Sequence, residues 1–477
     1  MSTPLKKSFL DWPLDAAVAA LGSAAEIQVR GALSGAIKSV VTDSRVVGPG
    51  DVFVALRGDR FDAHEFIAQV VAQGAIAVVV DRPVDADCVQ LIVKDTRAAL
   101  GLLAAAWRKQ FDIPVVAVTG SNGKTTTKEM IASILRAQCG ADAVLATRGN
   151  LNNDVGVPHT LFELNAVHQM AVVEMGMNHR GEIAWLAGLV KPTVALVNNA
   201  QREHQEFMET VEAVAAENGS VLEVLPASGV AVYPAFDIHT PLWADLASDA
   251  RSLTFGLACD ALATAQSTVE VLQSGALTTV ALKGPWGSLQ IDLHVVGEHN
   301  ALNALAAANC AWAAGCSVEA ITAGLVGFRP VDGRMQTLPN PFGGVLINDA
   351  YNANPDSVEA AVRALAALPQ PSLLVLGDMG EVGHQGEQFH ADLGRYAKSH
   401  GIAKLFTLGT LAQFSAESFG ADAHHFSSIE ALSAALLETL QTTHYSVLIK
   451  GSRFMKMERA VEAIVKKDVS RGGIHAA

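Results

Sequence analysis

The stretch Val115-Val116-Ala117-Val118-Thr119-Gly120-Ser121-Asn122-Gly123-Lys124-Thr125-Thr126-Thr127 constrains this chain more than any other. An apolar, β-branched run reads as a buried strand. A tight glycine-rich loop follows, and Lys-Thr then opens a helix. Gly120 and Gly123 let backbone approach closely, and N–H groups in such a loop point inward at an anion. The helix N-terminus adds partial positive charge. Lys124 can reach outer phosphates, and Thr125 or Thr126 can hold Mg²⁺ through its hydroxyl. The usual loop has a glycine five residues before Gly123, where this chain has Val118, so the pattern is a shortened variant. The competing reading is an ordinary strand–turn–helix corner. Gly-Lys-Thr directly after an apolar strand favours a nucleoside triphosphate site, with Gly120, Ser121, Asn122, Gly123, Lys124, Thr125 and Thr126 as its cradle.

A chain of 477 residues divides into about three units of ordinary domain size. Half of its residues are hydrophobic and 17% are charged, ample for packed cores. The net charge of -14 argues against nucleic acid as a partner, because phosphate backbones need clustered Lys and Arg. Cys88, Cys139, Cys259, Cys310 and Cys316 are scattered and form no C-x-x-C pair, so buried cytosolic thiols are expected. Lys6 and Lys7 precede no apolar run, and the longest uncharged run is broken by Asn300, Asn303 and Asn309. Neither a signal peptide nor membrane insertion is expected. A cytoplasmic protein is expected, where ATP is plentiful, and a monomer acting on small molecules.

Residues 1–96 read as a small α/β unit, with strands at 52–56 and 75–80 and a helix between them. A helix from 94 to 107 leads into a second unit, 97–330. There, strands at 115–118, 170–174 and 193–197 alternate with helices, which implies a mainly parallel sheet. Residues 251–296 read as antiparallel strands inserted before a long helix at 300–314. The third unit, 331–477, has strands at 345–348, 372–376, 404–408 and 446–449, each followed by a polar loop and a helix. This is a doubly wound pattern, in which ligands bind at the carboxyl ends of strands. Three α/β units in series suggest a reaction that joins several ligands in the clefts between them.

Several residues can carry chemistry, each beside a plainer reading. Glu174 ends an apolar strand, where a Mg²⁺ ligand belongs or where a carboxylate caps a helix. His204 follows Asn198-Asn199 and is either a ligand or a surface histidine. The run 147–158, with Asn150, Asn152 and Asn153, is rich in donors for sugar, carboxylate or phosphate oxygens, or is a turn-rich connector. Asn300 and Asn303 share one face of a helix start and can bond a base or ribose, although Asn300 can equally cap the helix. Arg334 lies just past Phe328-Arg329-Pro330, where it either swings onto a γ-phosphate or forms a structural ion pair. Asp349 ends a strand, a position that often accepts ribose hydroxyls.

Taken together, Thr119 to Thr126, Glu174, His204, His299-Asn300-x-x-Asn303, Gly333-Arg334 and Asp349 resemble, in order and spacing, the Mur ligases of peptidoglycan synthesis. The resemblance covers nearly the whole chain. It implies three domains: a small N-terminal α/β substrate domain, a central P-loop ATPase domain with a mainly parallel sheet, and a C-terminal Rossmann-like domain. It also implies ATP and Mg²⁺, and amide formation through an acyl phosphate. Within the family, 43–45, 50–58, 149–153, 349–355 and 377–381 are similar to the branch that adds D-alanyl-D-alanine to UDP-N-acetylmuramoyl-tripeptide. The branch that adds diaminopimelate carries Asp-Asn-Pro-Arg in its last domain, and this chain has none.

By resemblance, Lys124 and Thr125 would serve the phosphates and Mg²⁺, and Glu174 and His204 the metal. Asn300, Asn303 and Asp349 would hold adenosine, and Arg334 would contact the γ-phosphate. Asp43, Ser44 and Arg45 would belong to the UDP end, and Asn150, Asn152 and Asn153 to the muramoyl-peptide. One position departs from the pattern. Where many members have a lysine whose carbamate helps hold a second Mg²⁺, this chain has Asn218, and an amide cannot be carbamylated.

Overall fold

The computed structural model of the chain describes residues 9–22, 26–58, 61–203, 205–260, 265–273 and 277–471. Three mainly parallel sheets organise it. The first has five strands in the order Gln28–Arg30, Val89–Ile92, Ala77–Val80, Asp51–Val54, Ser39–Val41. Its edge strand Gln28–Arg30 is antiparallel and the other four are parallel.

The second sheet has nine strands, ordered Val144–Ala146, Met170–Glu174, Val115–Thr119, Val194–Val197, Val230–Pro234, Arg251–Leu257, Ser267–Gln273, Thr278–Gly284, Gly287–Leu293. The run 251–296 differs from its antiparallel reading. Arg251–Leu257 pairs parallel with both neighbours, and the antiparallel ladder begins only at Ser267–Gln273. The Thr240–Ala247 helix supplies the crossover that a parallel partner requires. Thr, Val and Gly enrichment marks strands but carries no sign for their direction.

Alternation across the central strand explains why it is buried throughout. Val115 and Ala117 enter a core with Trp107, Leu186 and Leu189. Val116 and Val118 enter another with Met130, Ile134 and Leu305. A strand covered by helices on both faces must be apolar at every position. The first core also includes Val52, Val54 and Val79 of the first sheet, joined through Leu100 and Leu103 of the Thr96–Arg108 helix. Asp95 caps that helix by accepting from the N–H groups of Arg97 and Ala98. Trp107 closes the joint. Its ring packs on Trp12 and Phe111, and its indole N–H donates to the Leu164 carbonyl at 3.0 Å.

The third sheet runs Gln336–Leu338, Leu346–Asp349, Ser446–Lys450, Ser372–Gly377, Lys404–Leu408, Ala423–Phe426. All are parallel except the edge strand Gln336–Leu338. No described helix is long and apolar enough to cross a membrane.

Trp107→Ala would empty the joint between the first two sheets and orphan the Leu164 carbonyl. It is expected to lower the free energy of unfolding by about 3–5 kcal/mol. Urea titration followed by circular dichroism reads the change; a loss below about 1 kcal/mol would mean that Trp107 does not hold the joint.

Candidate active site

The carboxyl ends of the second and third sheets face one cavity of about 1370 Å³. The phosphate loop forms part of its wall. Gly120 and Gly123 have φ of 130° and 79°. A Cβ on Gly120 would lie 2.9 Å from the Asn198 Cβ, and one on Gly123 would lie 2.6 Å from Asn303 Oδ1. Glycine is required at both positions because polar side chains press on the loop from outside.

Those side chains form a network. Asn199 accepts from the Asn122 N–H at 2.8 Å and donates to the Asn122 carbonyl at 3.0 Å. Asn198 donates to Asn122 O at 2.8 Å and to Asn303 Oδ1 at 2.9 Å, and Asn303 donates to Asn300 Oδ1 at 3.1 Å. Asn300 in turn donates to the Val296 carbonyl at 2.8 Å. The Asn300–Asn303 pair is therefore tied to the phosphate loop as well as lining the cavity. Gly123 to Thr126 also line it, and the first-turn N–H groups of the Lys124–Cys139 helix have no acceptor within the helix. An anion fits there.

Lys124 Nζ donates to Glu203 Oε1 at 2.7 Å and to the Ser121 carbonyl at 3.2 Å. Glu174 is buried at the end of its strand. Its Oε1 accepts from Thr125 Oγ1 at 3.2 Å and Asn152 Nδ2 at 2.9 Å, whereas its buried Oε2 has no hydrogen-bond partner. Among the described residues no three His, Cys, Asp or Glu side chains converge as metal ligands. An anionic oxygen beside a hydroxyl suits Mg²⁺, which keeps several waters and binds through one or two carboxylates plus substrate phosphates. His204 lies outside the described residues.

Asn218 stands behind the loop. Its Oδ1 accepts from the Gly120 N–H at 2.9 Å and its backbone carbonyl from Thr119 Oγ1 at 3.1 Å. The neighbouring Glu217 caps the Glu182–Val190 helix, accepting from Gly181 N and Ile183 N at 2.8 Å each.

The third sheet supplies the facing wall. Arg334 stacks on Tyr351, with its guanidinium carbon 4.0 Å from the ring centroid. Asp349 accepts from the Met335 N–H at 3.0 Å and from Lys450 Nζ at 2.6 Å, so both of its oxygens hold this wall together. Asn150, Asn152 and Asn153 line the cavity from the other side. Asn153 also accepts from the Gly156 N–H at 2.8 Å, fixing the start of the Gly156–Phe162 helix.

Asp43, Ser44 and Arg45 lie on the first sheet's loop, outside the residues that line this cavity. Arg45 grips Asp43 through Nε and Nη2 at 2.8 and 2.6 Å, which holds the Asp43 carboxyl below the usual carboxylate range. Next to them, Thr42 Oγ1 meets His159 Nε2 at 3.0 Å, linking that loop to the helix behind the asparagine run.

Lys450 opens the polar run 450–453 at a strand's carboxyl end, where ligands are expected, and it lines the cavity. Residue order gave no sign of Arg202, Glu203 and Asp356, which also line it and whose partners are distant in sequence.

The profile of the Mur ligase family catalytic domain matches residues 36–108. That of the Mur ligase middle domain matches 118–311, and that of the Mur ligase glutamate ligase domain matches 333–453. The chain belongs to the Mur ligase family. This Mur ligase is 40% identical over 439 residues to UDP-N-acetylmuramoyl-tripeptide–D-alanyl-D-alanine ligase of Escherichia coli (strain K12), covering 91% of this chain and 96% of that one. It superposes on MurF from Acinetobacter baumannii with a TM-score of 0.87 at 35% identity, covering 97% and 100% of the two chains. MurF ligase from Thermotoga maritima, solved in complex with ADP, superposes with a TM-score of 0.82 at 26% identity, covering 91% and 98%.

His299 sits on the cavity wall of this Mur ligase. Burial pushes its pKa down from 6.5 to about 4, and does the same to His159. Both are neutral in the folded chain, while the unfolded chain binds the extra protons between pH 6.5 and 4. Stability is therefore complete above that window and is lost as pH falls through it, by up to about 1.4 kcal/mol per pH unit for each histidine. Denaturant unfolding across this pH range should show the slope, and His299→Gln should reduce it. An unchanged slope in the variant would contradict the desolvated neutral imidazole.

Proposed function

We propose that this Mur ligase joins D-alanyl-D-alanine to UDP-N-acetylmuramoyl-tripeptide at the expense of ATP. The observation that carries the reading is convergence. One cavity brings together the phosphate loop, the Glu174 carboxylate, the asparagine run and a wall of cations from the third sheet. A ligase needs all of these, whereas a nucleotide switch needs only the first two. In this reading, residues 1–96 form the UDP-binding domain, 97–330 the ATP-binding domain and 331–477 the ligase domain. The enzyme works as a cytoplasmic monomer in peptidoglycan precursor synthesis.

A carboxylate and an amine do not condense at neutral pH without activation. A terminal carboxylate oxygen of the tripeptide attacks the γ-phosphorus of ATP. The new O–P bond replaces the bond to the β-phosphate oxygen, and ADP leaves. The deprotonated amine of the dipeptide then attacks the acyl carbon, and the tetrahedral intermediate collapses by expelling phosphate. Lys124 and the N–H groups of Gly123 to Thr126 hold the phosphate chain. Lys124 must first exchange Glu203 for phosphate oxygens. Arg334, fixed by stacking on Tyr351, meets the γ-phosphate from the opposite wall. Asn300, Asn303 and Asp349 hold the nucleoside, with Asp349 steadied by Lys450. Asn150, Asn152 and Asn153 orient the peptide, and Asp43, Ser44 and Arg45 hold the UDP end. Glu174, Thr125 and His204 would hold Mg²⁺, which when bound offsets charge on the phosphate oxygens. Enclosure between the sheets keeps water from the acyl phosphate.

ADP formation by the purified enzyme should require both UDP-N-acetylmuramoyl-tripeptide and D-alanyl-D-alanine. Equal stimulation by the dipeptide-bearing precursor with free diaminopimelate would sink the assignment.

Asn218 supports a second expectation. Its side chain braces Gly120, and no carbamate can form on an amide. Turnover in degassed buffer should equal turnover with added bicarbonate at fixed pH and ionic strength. A clear bicarbonate requirement would reveal a carbamylated lysine elsewhere.

A further inference from the structure

Three consecutive residues after the Val194–Val197 strand touch both sides of the cavity. Gln201 Oε1 accepts from Asn122 Nδ2 of the phosphate loop at 2.7 Å. Glu203 holds Lys124 of the same loop. Arg202, between them, turns the other way and is engaged by the third-sheet part of the chain. Its Nε and Nη2 donate to the two Asp356 oxygens at 3.0 and 2.9 Å, and Nη2 also donates to Glu359 Oε1 at 2.7 Å. Its backbone N–H donates to Asp356 Oδ2 at 2.8 Å, and its guanidinium carbon lies 5.6 Å from the Phe389 ring centroid.

Asp356 and Glu359 occupy the first turns of the Pro355–Ala366 helix. A second bridge reaches the same helix end. Asn354 donates to Asn122 Oδ1 at 2.9 Å and accepts from Asn122 Nδ2 at 3.2 Å, while its side chain caps the helix with Ser357. The start of one helix is thus fastened to the phosphate loop directly and through Arg202.

The ion pairs are partly shielded, with side-chain exposures of 30% for Arg202, 20% for Asp356 and 28% for Glu359. A guanidinium fork matches two carboxylates with fixed geometry, which a lysine ammonium cannot do. The side-chain contacts of Arg202 go to Asp356, Glu359 and Phe389 of the third-sheet part, and the carboxylates it grips would repel phosphate. Its role is therefore mechanical.

We propose that Arg202 is a positioning residue for ligation. It locks the Pro355–Ala366 helix, and with it the wall bearing Arg334 and Lys450, against the loop that carries Gln201 and Glu203. The two walls are then held at the separation that acyl transfer requires, while nucleotide affinity rests on the phosphate loop. This inference depends on the cavity being the ligation site. If that parent reading fails, the wild-type protein will form no ADP with UDP-N-acetylmuramoyl-tripeptide and D-alanyl-D-alanine; if only the latch fails, the wild-type protein turns over and the Arg202 variants do not show the selective loss in kcat/KM for D-alanyl-D-alanine.

The test combines kinetics with ADP titration of the protein alone. Arg202→Ala should lower kcat/KM for D-alanyl-D-alanine by about tenfold or more and leave the ADP Kd within about twofold. Arg202→Lys should recover only part of the loss. In the Asp356→Asn/Glu359→Gln background, Arg202→Ala should cost less than about twofold further, because the partners are already gone. If Arg202→Ala does not fold, Glu359→Gln is read instead and should lose about threefold in the same ratio. The proposal is overturned if kcat/KM is unchanged in these variants, if the losses multiply in the combined variant, or if ADP binding falls in step with turnover.

Discussion

The amide network around the phosphate loop is the constraint on which the site depends. Gly123 carries no side chain, and the Asn198 and Asn303 amides approach to within 2.7 and 2.6 Å of where its Cβ would be. That approach lets Asn198 donate both to the loop carbonyl of Asn122 and to Asn303. Three elements far apart in sequence are thereby held in one rigid arrangement. A loop held by side-chain amides keeps its shape whether or not an anion is present, so little reorganisation is needed when one arrives.

Charge is arranged by the same logic. The chain carries a net -14, yet its cavity presents Lys124, Arg202, Lys450 and Arg453. Each is held by a carboxylate: Glu203, Asp356 with Glu359, Asp349, and Glu458. Lys124, pinned in this way, keeps its position but must change partners to serve a phosphate, whereas Arg202 keeps its partners. Arg334 differs, since its stacking on Tyr351 fixes it without neutralising it. It is therefore available to an incoming polyanion without a prior exchange.

Much of the fold was legible because local rules govern it. The continuous burial of Val115 to Thr119, the glycine-rich loop and the long Ala-rich helix all follow from an unbroken apolar run, backbone freedom and local propensity. Strand direction in 251–296 was not legible, since β propensity is blind to the partner. The cavity residues divided similarly. Gly120, Lys124 and Glu174 announce themselves by their place at the end of a strand, and the Asn150–Asn153 run by its donor-rich composition. Asn218 was noticed as a departure, but its contact with the Gly120 N–H depends on a helix packed behind the loop.

What the sequence determined by itself was the order of elements and the presence of a phosphate cradle, because φ preferences and hydrophobic periods act over a few residues. What only the tertiary structure decided was which charge meets which. Lys124 finds Glu203 across 79 residues, Lys450 finds Asp349 across 101, and Arg202 finds Asp356 across 154. Lys450 and Asp349 meet as register partners on adjacent strands, and Lys124 and Glu203 follow two neighbouring strands, whereas the Arg202 pair is set by how one sheet is seated against another. That seating comes from the summed packing of whole faces, and no local pattern encodes it.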